Sequence, residues 1–403
     1  MANTLLTTTK MTLEALRILR NKLVFSKLVR RDFDPEFARE GAKIGDTLNI
    51  RKPPRYAGTT GATITVEDAT ETSVALVLNT QFNVGIQFTS KDLALSIDKF
   101  SERFLQPAVA TIANKIDFDG LNLYKDVASA VGTPATVPAA LLTYLQAKQR
   151  LAEESAPVDD QLSVVITPEM EATIVNALDG LFQDSTEISA QYKKGLMGIA
   201  AGFKWYMDQN IRTHTSGIYT TGSTPLVNGA SQTGSTIVSD GWANSTAVLK
   251  DGDVITFAGV SNVNPQNRQS TGSLKQFVVT ADSSSDGSGN LTIPISPALT
   301  PTGQFQTCTA SPANNAAIVP LGAESTDSPN GLAFHKDAFA LGMARLPLPG
   351  GTDRAGRASD EESGLSIRMI SDYDITTDNF ISRLDVLYGW STLYPELACR
   401  IPS

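Results

Sequence analysis

The stretches "LKDGDVITFAGVSNVNPQN", Leu249 to Asn267, and "LKQFVVTA", Leu274 to Ala281, decide the fold class of this chain. Each contains a short run that is rich in β-branched and aromatic residues and lies between Gly, Asn, Asp or Ser residues. Alternation of apolar and polar side chains with a period of two is typical of a strand with one buried face. The two stretches therefore predict strands of an all-β module.

A change in composition marks the limits of this module. From 216 to 330 the basic residues are Lys250, Arg268 and Lys275, and Gly, Ser, Thr, Asn and Pro dominate. The flanking segments read as a mixture of helices and strands. An all-β block inside such a chain is predicted to be an insertion in an α+β protein.

An amphipathic helix is predicted over residues 11–31. Its apolar residues recur at close to helical spacing: Leu13, Leu16, Leu19, Leu23, Val24 and Leu28. A short terminal helix is marginal in isolation and needs a partner for its apolar stripe. The sequence leaves two alternatives open, a helix packed on its own domain and an arm that docks on another molecule.

Strands and helices are both predicted between this helix and the module. The predicted strands cover 46–51, 63–66, 74–79 and 82–89. The segment "KPPRYAGTTGA", 52–62, predicts a mobile loop, because prolines and small residues interrupt the strand pattern there. Predicted helices cover 90–116, with a kink or restart at Pro107, and 138–154.

A strand followed directly by a helix is predicted in "LSVVITPEMEATIVNAL", 162–178. Thr167 is the predicted N-cap of this helix, and Pro168 occupies its first position, where the missing backbone N–H costs nothing. After Asn330, "GLSIRMI" and "RLDVLYGW" predict further strands.

Charge is unevenly distributed along the chain. Residues 1–31 contain seven Lys and Arg against Glu14 alone, a net charge of +6, so that the remaining residues contribute −15 to the total of −9. An acidic body does not favour tight nucleic-acid binding, because phosphate contacts dominate that affinity. A basic arm on an acidic body is predicted to contact another acidic surface.

Several classes of protein are disfavoured by simple patterns. No apolar run is long enough to span a membrane, and the first residues have no apolar region followed by a cleavage site. Cys308 and Cys399 are the two cysteines, too few for a disulfide framework or a cysteine metal site. No phosphate-binding or dinucleotide-binding glycine motif occurs.

The segment "NGLAFHKDAFALGMARLPLP", 330–349, contains His335, Lys336 and Asp337 in succession. One phosphodiesterase motif spaces these residue types as His-x-Lys-x4-Asp, so that all three converge on a phosphate. Successive residues of a strand point to opposite faces, so we predict a structural strand with a hydrogen-bonded histidine and no catalytic residues.

A calcium loop is the one metal-site alternative that the sequence offers. "DSSSDGSGNLTI", 282–293, has Gly287 at the sixth position, but Ile293 stands where a bidentate Glu belongs. We therefore predict a hairpin turn there, and no metal or cofactor site.

Four segments in order resemble one protein family. The two module stretches resemble the inserted domain of the coat proteins of short-tailed Salmonella-type phages. "GIAAGFKWYMDQNIRTHTSG", 198–217, and the 330–349 segment resemble the parts that enter and leave that insertion. "RLDVLYGWSTLYPELACRIP", 383–402, is similar to the closing strands of the family.

The resemblance implies the tailed-phage capsid fold of Hong Kong 97 type, an α+β fold with an inserted all-β barrel. It implies a division into the following segments: an N-terminal arm (1–31), an extended loop and peripheral domain with a long spine helix (32–137), a first axial part (138–215), the barrel (216–330), a second axial part (331–380) and C-terminal peripheral strands (381–403).

The implied function is that of a major capsid protein, without catalysis, cofactors or metals, that assembles in the host bacterial cytoplasm and resides in the virion. The implied partners are copies of the same chain in hexamers and pentamers, a scaffolding protein, the portal and, without sequence specificity, packaged double-stranded DNA; no membrane is involved. The candidate inter-subunit contacts are Arg17, Arg20, Lys27, Arg30 and Arg31 in the arm and Lys52, Arg55 and Tyr56 in the loop.

An extracellular carbohydrate-binding or adhesive protein is the alternative that the Gly/Ser/Thr-rich module suggests. Such a protein is expected to have an export signal and clustered aromatic side chains for stacking on sugars. The aromatic residues of the module are scattered: Tyr219, Trp242, Phe257, Phe277 and Phe305.

Overall fold

The computed structural model describes residues 8–31, 47–56, 58, 61–62, 66, 68–89, 104–177, 198–219, 224–359 and 365–403. The chain forms two compact units. The first unit comprises 1–51, 73–120 and 339–391, and the second comprises 52–72, 121–338 and 392–403. None of the helices in the described ranges is both long enough and apolar enough to cross a membrane.

The first predicted helix, 11–31, is shorter in the structure, because it ends at Lys22 and Phe25–Lys27 form a 3-10 helix. The α-helices of the described residues otherwise follow the sequence patterns. They are α1 (Thr8–Lys22), α2 (Gln106–Gly120), α3 (Leu141–Glu153) and α4 (Pro168–Ala177). The predicted start of the long helix, 90–103, lies outside the described residues. Residues 104 and 105 are π-helical and α2 begins directly after them, so the type of helix changes next to Pro107. Thr167 caps α4 as predicted, because its Oγ1 accepts a hydrogen bond of 3.1 Å from the Met170 N–H.

The first unit contains α1, α2 and a five-stranded antiparallel sheet. Its strands are β3 (Thr80–Thr89), β17 (Phe339–Ala344), β18 (Arg354–Ser359), β19 (Ser366–Asp374) and β20 (Asn379–Thr392). The long strand β20 pairs with β3, β17 and β19, and its register with β3 runs from Tyr388 opposite Thr80 to Asn379 opposite Thr89. A separate pair is formed by β1 (Thr47–Lys52) and β2 (Thr72–Val77). The predicted strand at 63–66 falls mostly outside the described residues, and Val66 is in no strand.

The apolar stripe of α1 is buried within the first unit. Leu16, Leu19 and Leu23 are at most 7% exposed, and α1 packs against α2, β18 and β19. Leu13 lies outside this stripe and is 55% exposed. Of the two alternatives that the sequence left open, the structure thus favours a helix packed on its own domain.

The second unit is built around a mixed sheet with the strand order β21-β16-β4-β6-β5 and β7 paired to β16. The bounds are β4 (Leu162–Ile166), β5 (Ile199–Ala200), β6 (Phe203–Met207), β7 (Thr213–Thr215), β16 (Asp327–His335) and β21 (Ala398–Pro402). All five residues of β4 are buried, as a central strand requires. Helix α3 packs on this sheet through Tyr144, whose ring lies 4.7 Å from that of Trp205.

The all-β module forms a closed barrel. Its sheet has the order β15-β11-β12-β14-β9-β8, and an antiparallel bridge between Leu226 and Ala317, next to β15, closes it. The strands are β8 (Leu226–Val227), β9 (Gly234–Asp240), β11 (Val254–Val263), β12 (Ser270–Val279), β14 (Leu291–Leu299) and β15 (Ile318–Pro320), and β10 (Ala247–Leu249) pairs with β13 (Ser283–Ser284). Its core is continuous and includes Phe257 and Phe277, whose ring centroids are 5.3 Å apart.

The chain enters and leaves the barrel through paired strands. Strand β7 precedes the barrel, β16 follows it, and Thr215 lies opposite Asp327. The last barrel strand ends at Pro320. Residues 327–330 therefore belong to the mixed sheet and not to the barrel, although the sequence composition extended the module to Asn330.

The boundaries of the two compact units in the carboxyl-terminal third differ from the segment boundaries predicted from the sequence. Residues 339–391, which the sequence split between an axial segment and peripheral strands at residue 381, lie together in the first unit. Residues 392–403, which were grouped with the peripheral strands, lie in the second unit, because β21 pairs with β16. Hydrogen bonds between strands that are far apart in the sequence determine which unit each segment joins. A local pattern of residues contains no information about such pairing.

Leu19→Ala is expected to lower the free energy of unfolding by about 2–5 kcal/mol, because it leaves a cavity between α1 and the rest of its unit. Leu13→Ala is the matched control and is expected to change it by about 0.5 kcal/mol or less, since Leu13 is exposed. Urea unfolding of the isolated subunits measures both values. Equal stability of the two variants would contradict the packing of α1 on its own unit.

Candidate inter-subunit contact sites

The predicted arm contacts lie on and just after α1. Arg17 and Arg20 are on the exposed side of the helix, opposite the buried stripe. Arg17 is paired with Glu14 across one turn, with Nη2 and Oε1 2.6 Å apart. The hydrogen bond from Arg17 holds the pKa of Glu14 below its ordinary value. Surface pairs of this type stabilise a helix only slightly, so Arg17 remains available to a partner.

The end of the arm is fixed to α2 by Asp117. This carboxylate is 2% exposed and accepts hydrogen bonds from the backbone N–H groups of Val24, at 2.7 Å, and Ser26, at 3.0 Å, and from the Ser26 hydroxyl. It thus satisfies the free donors at the start of the 3-10 helix Phe25–Lys27. Burial lowers the pKa of Lys27, although the Asp117 carboxylate opposes the effect.

Arg30 marks the point where the arm joins the sheet. Its backbone N–H donates to Phe339 O at 3.1 Å, and its carbonyl accepts from the Leu341 N–H at 3.1 Å. Arg31 follows at partial exposure. The backbone of Arg30 is thus fixed against the strand that contains Phe339 and Leu341.

The three loop candidates lie in the second unit. Lys52 Nζ lies 4.7 Å from the centroid of the Tyr394 ring, and Arg55 Nη2 lies 2.8 Å from Glu396 Oε1. Tyr56 follows directly and is 61% exposed. Burial lowers the pKa of Lys52. Lys52 and Arg55 thus contact neighbouring aromatic and acidic residues of the second unit, whereas the arm candidates belong to the first unit.

A cleft of about 300 Å³ opens beside these loop residues. Lys52, Arg55 and Glu396 form one side, and the buried ion pair between Lys275 Nζ and Glu154 Oε1, at 2.7 Å, forms another. Proline and aromatic side chains complete the walls: Pro53, Pro54, Pro265, Pro297, Phe305 and Tyr394. The cleft is concave, part-apolar and charged at defined points, which suits the capture of a side chain.

His335 is a buried, hydrogen-bonded histidine, as predicted. It is 2% exposed, its Nε2 lies 3.3 Å from Asp159 Oδ2, and its Nδ1 accepts a hydrogen bond from the Asp337 N–H at 3.3 Å. With Nδ1 as acceptor, Nε2 carries the proton and donates to Asp159. Both ring nitrogens are therefore used in holding the structure.

Lys336 and Asp337 do not continue the strand that contains His335, contrary to the prediction. The strand β16 ends at His335, and the residues 336–338 form a 3-10 helix instead of continuing the strand. Alternation of side chains along a strand therefore does not apply to Lys336 and Asp337. The three residues still form no phosphate site, because both nitrogens of His335 are hydrogen-bonded and its ring is buried.

The second histidine lies in a cluster that the sequence did not reveal. His214 Nε2 lies 2.8 Å from Asp253 Oδ1, and His214 Nδ1 lies 3.2 Å from the Tyr124 hydroxyl. Asp253 also accepts hydrogen bonds from the N–H groups of Lys250 and Gly217. Asp253 belongs to the turn before "VITF", and its carboxylate also joins the barrel to β7.

This cluster resembles a catalytic arrangement in composition, but the hydroxyl group in contact with the histidine belongs to a buried tyrosine. Burial raises the pKa of Tyr124 to about 12, and its side chain is 2% exposed. The adjoining cavity, which His214, Asp253 and Arg400 help to line, measures about 20 Å³, room for about one water. The arrangement therefore serves to hold segments together.

Arg400 completes this junction. Its Nε donates to Val127 O and its Nη1 donates to Gly252 O, both at 2.7 Å, and the guanidinium lies 5.6 Å from the Tyr124 ring centroid. Gly252 has φ +101°, and a Cβ there would lie 3.2 Å from both the His214 ring and Lys125. Glycine is thus required where the barrel turn meets Arg400.

The calcium-loop alternative is excluded by the structure of the turn. Asp286 Oδ1 accepts hydrogen bonds of 2.8 Å from the N–H groups of Ser288 and Asn290, and Ile293 is fully buried in the barrel core. Within the described residues, no group of three His, Cys, Asp or Glu side chains is arranged to hold a metal ion.

A family model described as "P22 coat protein - gene protein 5" matches residues 1–400. The chain belongs to the P22 coat protein family. The prediction of a tailed-phage major capsid protein is thereby confirmed, and the structure has the predicted α+β fold class with an inserted all-β barrel. As a member of the P22 coat protein family, it is a structural protein of the virion capsid and assembles with copies of itself into a shell. The alternative of a carbohydrate-binding surface protein is not favoured.

Solved structures similar to this P22-type coat protein come from several phages. Mycobacterium phage Che8 gives a TM-score of 0.47 at 12% identity, with 94% of this chain and 90% of that chain covered. The capsid of Ralstonia phage GP4 gives 0.46 at 7% identity, with 94% and 88% covered. The capsid of cyanophage P-SCSP1u gives 0.44 at 10% identity, with 94% and 87% covered. Among curated protein sequences no match was found.

His335→Ala is expected to lower the free energy of unfolding by about 1–3 kcal/mol, because Asp159 and the Asp337 N–H lose their partner. Lys336→Ala is the control at the neighbouring position. Unfolding curves measure the effect, and a phosphodiesterase assay on the wild type and both variants is expected to give no turnover. Turnover in the wild type that disappears in His335→Ala would contradict the structural role.

Proposed function

We propose that this coat protein forms the hexamers and pentamers of an icosahedral shell without catalysing a reaction. Assembly takes place in the host bacterial cytoplasm with a scaffolding protein and the portal, and the packaged double-stranded DNA contacts the shell non-specifically. The observation that carries the proposal is the match of residues 1–400 to the coat protein family. The charge distribution supports it, because an acidic body repels phosphate and keeps DNA from adhering to the wall.

The arm is proposed to contribute charge, and not apolar area, to assembly. Its apolar stripe is covered within the unit, while Arg17, Arg20, Lys22 and Lys27 lie on the exposed side. Positive charges spaced along an exposed helix attract an acidic partner and set the rate and specificity of encounter. The partner is either an acidic face of the scaffolding protein or an acidic face of an adjacent subunit.

Neutralising this surface tests the proposed role of the arm. Arg17→Gln with Lys22→Gln is expected to slow shell assembly about tenfold at low salt and to reduce its salt dependence, with little change in unfolding. Lys250→Gln with Lys336→Gln removes the same charge from the second unit and is the matched control. Light scattering follows the rate, and electron microscopy identifies the shells. Equal rates for the two double variants would contradict the role of the arm.

The barrel is proposed to be a domain in its own right. It has a closed sheet and its own core, and its entry and exit strands are paired. The size of 115 residues for 216–330 exceeds the length at which an isolated core becomes marginal. We extend the proposal to the remaining segments, with 1–31 as the arm and 32–137 as the extended loop and peripheral domain, of which 52–72 and 121–137 belong to the second compact unit.

Residues 216–330 expressed alone are expected to form a monomeric barrel that unfolds cooperatively, because every core contact of the closed sheet is internal to the fragment. Circular dichroism with thermal melting measures the transition. Phe277→Ala in the same fragment is expected to lower the free energy of unfolding by about 3–5 kcal/mol. A disordered spectrum without a transition would show that the barrel depends on the rest of the second unit.

A further inference from the structure

The cleft beside Lys52 contains more positive than negative charge. Among its lining residues the cations are Lys52, Arg55 and Lys275, and the carboxylates are Glu154 and Glu396. Two of the cations are paired, Lys275 with Glu154 at 2.7 Å and Arg55 with Glu396 at 2.8 Å. The cleft thus has an excess of one positive charge.

Lys52 is the source of that excess. Its ammonium group lies over the Tyr394 ring, and no carboxylate among the described residues lies within 4.0 Å of it. The carboxylate of Glu396 is already bonded to Arg55. A half-buried ammonium group with a ring on one side keeps its other donors directed into the cleft.

We propose that the cleft receives a carboxylate side chain from a second copy of this chain, with Lys52 as its ion-pair partner. This inference rests on the proposed assembly into a shell and on the predicted role of Lys52, Arg55 and Tyr56 in inter-subunit contacts. Charge complementarity identifies the occupant, because the chain beyond residue 31 has a net charge of −15 and an assembling copy brings acidic side chains.

The dimensions and walls of the cleft fit this occupant. Its volume of about 300 Å³ leaves room for an Asp or Glu side chain and part of its hydration. Proline side chains form much of the wall, and a rigid wall loses little entropy when a side chain binds. Burial lowers the pKa of Lys52, and an incoming carboxylate would oppose this effect by stabilising the charged ammonium group.

The Gln304 side chain holds the rim of the cleft in place. Its Nε2 donates to the carbonyl oxygen of Arg55. Together with the Arg55–Glu396 ion pair, this contact holds the segment from Lys52 to Arg55 against the rest of the second unit. Lys52 is therefore positioned before a partner arrives, which reduces the ordering cost of binding.

Isotope-mixed shells test the inference directly. Subunits labelled with nitrogen-15 and unlabelled subunits are mixed before assembly, and the shells are treated with a carbodiimide that joins amines to carboxylates in contact. Mass spectrometry is expected to find the Lys52 peptide joined to an Asp or Glu peptide in mixed-isotope pairs. Links from Lys52 found solely in pairs of one isotope, for example to Glu396, would place the carboxylate in the same chain and overturn the proposal, as would the absence of any Lys52 link.

Substitutions provide the second measurement. Lys52→Gln is expected to raise the subunit concentration needed for assembly about tenfold, whereas Lys52→Arg keeps the charge and is expected to stay near the wild type. Lys204→Gln, at a half-buried position of the same unit, is the control. Assembly of Lys52→Gln at the wild-type concentration would overturn the proposal. Failure of the wild type to form shells would instead contradict the assembly role itself, so the two failures are distinguishable.

Discussion

The buried guanidinium of Arg400 is the interaction on which the second unit depends. It lies in β21, and its donors reach the carbonyl oxygens of Val127 and Gly252, in the segment after α2 and in the turn between β10 and β11. Burial lowers its pKa to about 10, which still leaves it protonated at neutral pH. A buried charge of this kind is costly unless its hydrogen-bonding partners stay in place, so the three segments that meet here are held in a single arrangement.

The same junction explains how an insertion of this size is accommodated. Strands β7 and β16 form a paired stem, and Asp253 ties the barrel to that stem through His214 and the Gly217 N–H. The barrel is thus attached by two backbone connections and by a network of buried polar contacts. Such networks specify one orientation more strongly than apolar contacts do, because each unsatisfied member is penalised.

Local patterns predicted the elements well and their partners poorly. The Thr167 cap, the proline at the start of α4 and the alternating strands of the barrel depend on neighbouring residues, and all are found where the sequence placed them. The contact of His214 with Asp253 spans 39 positions, and that of Arg400 with Gly252 spans 148. Neither leaves a periodic signal, because the spacing is set by the topology of the sheets.

The candidate contacts follow the same rule. Charge alone was enough to single out the basic face of α1 and the cations near Lys52. The apolar stripe of α1 is covered by chain segments about 100 or more residues away, and Arg55 is paired with the likewise distant Glu396. A local sequence pattern does not report such contacts. The distinction between a helix that offers apolar area and one that offers charge was therefore beyond the reach of the sequence.

Closure of the barrel has a consequence for a protein that is packed at very high density with copies of itself. An open sheet presents unpaired N–H and C=O groups, and neighbouring copies could extend it strand by strand into an unlimited ribbon. The bridge between Leu226 and Ala317 uses those groups within the barrel. Adjacent barrels can consequently meet through side chains without merging their sheets, and crowding does not convert a finite particle into a fibre.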